Sequence, residues 1–213
     1  MRTLLIISFL LLINSTFGQK KKVEPIKKIQ PLSLYNLTGD TSNLLELSKE
    51  KLTFIDFWFV PCGPCFAEMN MLHKLYAKYR ENSKITFITI CLTDTGFVRP
   101  LMENRNTDSN QTYNYFKKLA ELDTFRLPVY FIKDVVAKQK SLMKAIGSGY
   151  DVRGEWVSKD KAKYPNRIFG FSGYPTILIF DKSGQLIYNK TGFTDSSEKQ
   201  QYLTIKSIID KYK

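Results

Sequence analysis

Apolar residues run along this chain in short blocks of two kinds, and their alternation predicts the fold class. Residues 52–59 are almost wholly apolar, which reads as a buried strand. Directly afterwards Phe66, Met69, Leu72, Leu75, Tyr76 and Tyr79 recur at three- and four-residue steps, which predicts a helix from Pro64 to about Glu81. Residues 84–92 form a second apolar block without that period, a strand buried on both faces and hence parallel and central. Strand, helix and strand make a βαβ unit. Tyr113, Phe116, Leu119 and Ala120 give residues 111–121 a helical spacing, while 127–132 and 176–180 read as short strands. Asp181, Lys182, Ser183 and Gly184 form a turn into a strand at 185–189. Residues 195–212 are expected to close the chain as an amphipathic helix with Leu203, Ile205, Ile208 and Ile209 inward. Near the start, the apolar runs 32–37 and 44–47 flank Thr38, Gly39 and Asp40, the pattern of a β-hairpin.

The first 18 residues have a different pattern. Arg2 is followed by a run at 4–13 that is apolar apart from Ser8, and Thr16 and Gly18 are small residues ahead of Gln19. This reads as a secretory signal peptide, with a core too short for a comfortable membrane span; retained as an anchor, it would still place the domain outside the cytoplasm. Residues 19–30 read as a polar, lysine-rich leader, and 31–213 as one domain. About 195 residues after the signal suffice for a real core.

Charge adds little. The formal net charge is +12, but apart from the leader the Lys and Arg residues are dispersed among acidic ones. No phosphate loop or nucleic-acid motif accompanies them, so no nucleic acid is expected as a partner. Weak attraction to an anionic membrane surface or an acidic partner remains compatible with the charge.

Chemistry enters with the cysteines. There are three, an odd number that argues against a structural disulfide framework. Cys91 falls inside an apolar strand and reads as a buried small hydrophobe. Cys62 and Cys65 stand where the strand ends and the helix begins. Unpaired N–H groups and the helix dipole favour an anion there, and the thiolate is the reactive form of cysteine. Cys62 is therefore the candidate nucleophile, and Cys65, one turn on, the group that resolves a mixed disulfide. Pro64 suits the first helical turn. A zinc site would need a further ligand pair, and only His73 and Cys91 are on offer; no metal and no other cofactor is expected.

Phe57 and Trp58 followed by Cys62-Gly63-Pro64-Cys65 resemble the thioredoxin superfamily, and Cys65-Phe66-Ala67-Glu68-Met69 resembles its extracytoplasmic TlpA/ResA-like branch, which includes the thiol-disulfide reductases of cytochrome c maturation. The similarity runs from about Pro31 to the C-terminus. It departs at Pro61, where a bulky residue is usual, and across an insertion at about 134–163, read as a solvated surface segment or a partner-selecting lid. The resemblance implies an α/β thioredoxin-like fold, a central mixed sheet flanked by helices, with an N-terminal hairpin. It implies that Pro175, after Gly173 and Tyr174, is cis and faces the cysteine pair. It further implies substrate contacts at Trp58, Gly63, Pro64, Tyr174 and Pro175.

Two carboxylates complete the candidate site. Asp56 lies six residues before Cys62, where thioredoxins carry a buried proton-handling Asp. Within an apolar strand its pKa should be raised. Glu68 matches a Glu of the cytochrome-maturation reductases, but equally reads as a solvated first-turn glutamate favoured by the helix dipole. The expected function is extracytoplasmic thiol–disulfide exchange in the reducing direction, by a monomer acting on disulfide or dithiol proteins and recharged by a membrane-borne electron donor. An oxidase or isomerase using the same cysteines, or a binding protein with a vestigial pair, are the alternatives.

Overall fold

The computed structural model describes residues 27–60, 62–93, 95–103, 111–132 and 165–212. The expected signal at 1–18, the leader up to residue 26, Pro61 and the insertion at 134–163 lie outside the described residues.

Seven described strands form one mixed sheet: β1 (Ser33–Tyr35), β2 (Thr41–Asn43), β3 (Leu52–Trp58), β4 (Ile85–Cys91), β5 (Val129–Ile132), β6 (Thr176–Phe180) and β7 (Leu186–Thr191), in the order β2-β1-β5-β4-β3-β6-β7. The helices among the described residues are α1 (Leu44–Leu47), α2 (Gly63–Tyr79), α3 (Thr95–Met102), α4 (Gln111–Ala120), α5 (Pro165–Ile168) and α6 (Glu198–Tyr212). β4 is central and runs parallel to both β3 and β5, as its two-sided apolar pattern requires. β6 then runs antiparallel to β3, with Phe57 opposite Thr176.

Alternation along β3 sends its side chains into two cores. Phe54 and Trp58 join α2, Phe116 of α4 and Ile205 and Ile209 of α6 on one face. Ile55 and Phe57 meet Phe169 and Phe171 on the other. This explains why all of β3 is buried and why polar Asp56 is buried with it.

Four local expectations are corrected. Residues 44–47 are helical rather than the second hairpin strand, because Asn43 Oδ1 accepts the Leu45 N–H at 2.9 Å and caps a helical turn. The hairpin is instead β1 with β2, around Gly39 at φ +93°. In α6, Leu203 is 47% exposed, and the inward stripe is Gln201, Ile205 and Ile209. The end of the leader joins the sheet edge: Ile29 donates to Gly184 O at 2.9 Å, and Leu186 donates to Lys27 O at 2.9 Å. Helix α3 was not legible, since Pro100 lies inside it.

Candidate active site

The site grows from the carboxyl end of β3. After Trp58 the chain turns, with the Cys62 N–H donating to Phe59 O at 3.1 Å. Thr93, just past β4, pins the turn: its Oγ1 accepts from Val60 N at 2.7 Å and donates to Val60 O at 3.3 Å. Cys62 thereby arrives in extended conformation (φ −96°, ψ 101°) as the N-cap of α2. Its Sγ accepts the Cys65 N–H at 3.2 Å, a donor that would also stabilise a thiolate.

Cys62 and Cys65 are joined as a disulfide, with Cα atoms 5.2 Å apart. Cys62 keeps 6% of its surface and Cys65 only 1%, so an attacking group reaches Cys62 more readily. Pro64 is exposed in the first turn of α2 and Gly63 is half-buried.

Pro175 belongs to the same edge of the sheet. The register of β3 with β6 puts it level with the end of β3. The Tyr174–Pro175 bond is cis. The Tyr174 ring stands edge-on to Phe59 and to Phe171, each with centroids 5.4 Å apart. Two bonds fix this segment, from Thr176 Oγ1 to Gly173 O at 2.7 Å and from Gly192 N to Pro175 O at 2.8 Å.

Trp58 differs from its expected role. It is wholly buried, packed on Phe66 and Phe125 with ring centroids 6.1 and 5.9 Å apart, and presents no surface to a substrate. The alternation of β3 turns it into the core. Tyr115 of α4 stands at the rim instead. It is 39% exposed, its ring lies edge-on to Phe66 at 5.6 Å, and its hydroxyl stands over Gly63. No motif singles it out, and Asn114, Lys117 and Lys118 of α4 are exposed like it.

Asp56 and Glu68 are each 1% exposed and lie on the same side of the sheet. Burial pushes Asp56 up to about 8. Burial also raises Glu68 well above the usual carboxylate range, reinforced by the nearby Asp56 and opposed by a hydrogen bond from Gln201 and by Lys190. Glu68 is thus no solvated helix residue; its position on α2 faces the core, beside Met69 and Leu72. Cys91, opposite Trp58 in the sheet, is a free thiol pushed up to about 12 by burial, and inert by that measure.

No protein-family model matches the chain. Over 65 residues it is 35% identical to the thiol-disulfide oxidoreductase ResA of Bacillus thuringiensis, a segment covering 30% of this chain and 37% of that one. Over that match the chain spans little more than a third of the relative's length. A longer match, 23% identical over 187 residues, covers 88% of the chain and 81% of ResA from Bacillus cereus. Among solved structures, a thiol:disulfide interchange protein from a Bacteroides species superposes with a TM-score of 0.51 at 16% identity, covering 89% of this chain and 92% of that one. A Chlorobium tepidum protein assigned as the thiol:disulfide interchange protein DsbE gives 0.50 at 18%, covering 88% and 99%. The chain has a thioredoxin-like fold, and part of its sequence is similar to the ResA thiol-disulfide oxidoreductases. Within the thioredoxin-like fold, the cysteine pair sits at the carboxyl edge of the sheet, where open α/β sheets place their sites.

Proposed function

We propose that the chain is an extracytoplasmic thiol-disulfide oxidoreductase that reduces disulfides of exported proteins. The observation that carries this reading is the asymmetry of the pair. Cys62 caps α2 near the surface with an N–H on its sulfur, and Cys65 is buried one turn behind. The apolar run at 4–13, read as the core of a signal peptide, supports export. Among the described residues no helix is long and apolar enough to cross a membrane.

The Cys62 thiolate attacks one sulfur of a substrate disulfide, and the other substrate sulfur leaves with the electron pair and takes a proton. Cys65 then gives its proton to Asp56 or Glu68 and attacks Cys62 Sγ. The second substrate thiol is released and the Cys62–Cys65 disulfide forms. Two electrons have passed to the substrate, and a membrane-borne dithiol donor returns them. Gly63, Pro64, Tyr174 and Pro175 form the surface on which the substrate polypeptide lies.

Insulin reduction tests the reading. The chain should precipitate insulin B chain in the presence of dithiothreitol, and a Cys65→Ser variant should trap exported proteins as mixed disulfides. A chain that performs neither is a binding protein with an idle pair.

A further inference from the structure

Gln201 is a polar residue on the apolar face of a helix. It is 5% exposed, in line with Ile205 and Ile209 on α6, where an aliphatic residue would continue the stripe. Its Nε2 instead donates to Glu68 Oε1 at 2.6 Å, joining segments 133 residues apart. The other Glu68 oxygen, Oε2, has no hydrogen-bond partner among the described residues, nor has Asp56 Oδ1.

A protonated carboxyl has one oxygen that accepts and one that carries the proton. A donor aimed at Oε1 makes Oε1 the accepting oxygen and leaves the proton to Oε2. We propose that Gln201 is a positioning residue for the thiol chemistry: its amide holds Glu68 with the proton on Oε2, so that the buried acid pair gives and takes its proton at one defined oxygen.

The groups facing this pair come from five elements. Asp56 lies on β3 and Cys91, which faces Asp56, on β4. Tyr188 and Lys190 approach Glu68 from β7, Gln201 from α6, and Cys65 lies one helical turn before Glu68 on α2. Burial and Asp56 favour the protonated Glu68, while Lys190 and the Gln201 bond favour the ionised form. In the second half of the exchange the pair, carrying one negative charge, takes the Cys65 proton as the Cys62–Cys65 bond forms and the substrate sulfur departs with its electrons. This kinetic consequence rests on the oxidoreductase reading; the placement of the proton does not.

Infrared spectroscopy of the full chain at pH 7 separates the two. Glu68→Gln should delete one protonated-carboxyl C=O band. A hydrogen bond to the carbonyl lowers that frequency, so Gln201→Met, similar in length but without the amide, should move the band upward. Gln201→Asn, one methylene shorter, should do the same and serves if the Met variant does not fold. In stopped-flow kinetics either variant should shift the pH profile of the Cys65 step upward by roughly half to one pH unit, the size expected for losing one buried hydrogen bond to the ionised form. A Glu68 band that stays put in a folded Gln201 variant overturns the proposal, as does its absence from the wild type. A band that moves in a chain without exchange activity supports the placement and overturns the oxidoreductase reading alone.

Discussion

Tyr115 holds its hydroxyl oxygen 3.0 Å from the point where a β-carbon on Gly63 would stand, with Leu119 Cδ1 at 3.8 Å. Real β-carbons rarely tolerate the first distance, so any larger residue at 63 must displace the tyrosine. In a helix, alanine outranks glycine by about 0.8–1.0 kcal/mol. Gly63→Ala should therefore gain stability only where Tyr115 has been shortened. A double-mutant cycle of Gly63→Ala with Tyr115→Phe, read by urea denaturation, should give a coupling of about 0.5–1 kcal/mol. Gly63→Ala alone should slow insulin reduction several-fold, and Tyr115→Phe should restore most of it. Additive variants with unchanged rates would show that the contact matters to neither stability nor catalysis.

The two cysteines should separate cleanly. With the protein reduced, iodoacetamide at pH 6 should label Cys62 at least about tenfold faster than Cys65, because only Cys62 caps the helix near the surface. Cys62→Ser should abolish exchange. Cys65→Ser should leave the first attack intact and stall as a mixed disulfide. Faster labelling of Cys65 in a tryptic mass map would reverse the assigned roles.

Asp56 gives a pH dependence of known sign. Its carboxyl is pushed up to about 8 by burial, so the folded chain binds its proton more tightly than the unfolded one. The stability this confers is complete below the unfolded carboxylate range and is lost as pH rises through about 8. Each pH unit in that window changes the balance by about 1.4 kcal/mol per proton. Asp56→Asn should therefore gain on the wild type steadily from pH 5 to pH 8 in urea melts, and should slow the Cys65 step around neutrality. Parallel stability curves for the two proteins would remove Asp56 from the list of buried neutral acids.

The parts of this fold that were legible in the chain are those where local pattern and tertiary packing agree. The two-sided burial of β3 and β4 and the helical stripe from Phe66 to Tyr79 are of this kind. Cys62 at the head of α2 follows from them directly. What the chain did not disclose depends on partners distant in sequence. Asn43 turned an apolar run into helix through one capping bond. Pro100 concealed α3. Trp58 looked like a substrate contact until the strand's alternation turned it inward. Glu68 read equally as a first-turn surface residue because its partner Gln201 lies 133 positions away, on a helix whose inward face was expected to include Leu203 and not Gln201. Gln201 and Tyr115 carry no motif at all, and only the packed structure brings them to the site.

The proposed reducing direction follows from how little supports a Cys62 thiolate. Gly63 and Pro64 place no side-chain donor between the sulfurs, and the Cys65 N–H at 3.2 Å is the one donor to Cys62 Sγ among the described residues. The acid pair beneath adds negative charge, not positive, when it ionises. Each of these leaves the dithiol form less stabilised than in a strong oxidant, whose thiolate is heavily supported. The most direct test is equilibration of the purified protein against glutathione buffers at pH 7, with the redox state read by thiol alkylation. The expected potential lies near the thioredoxin value of about −270 mV. A potential more positive than roughly −180 mV, the isomerase value, would contradict the reductase reading and make the chain a donor of disulfides.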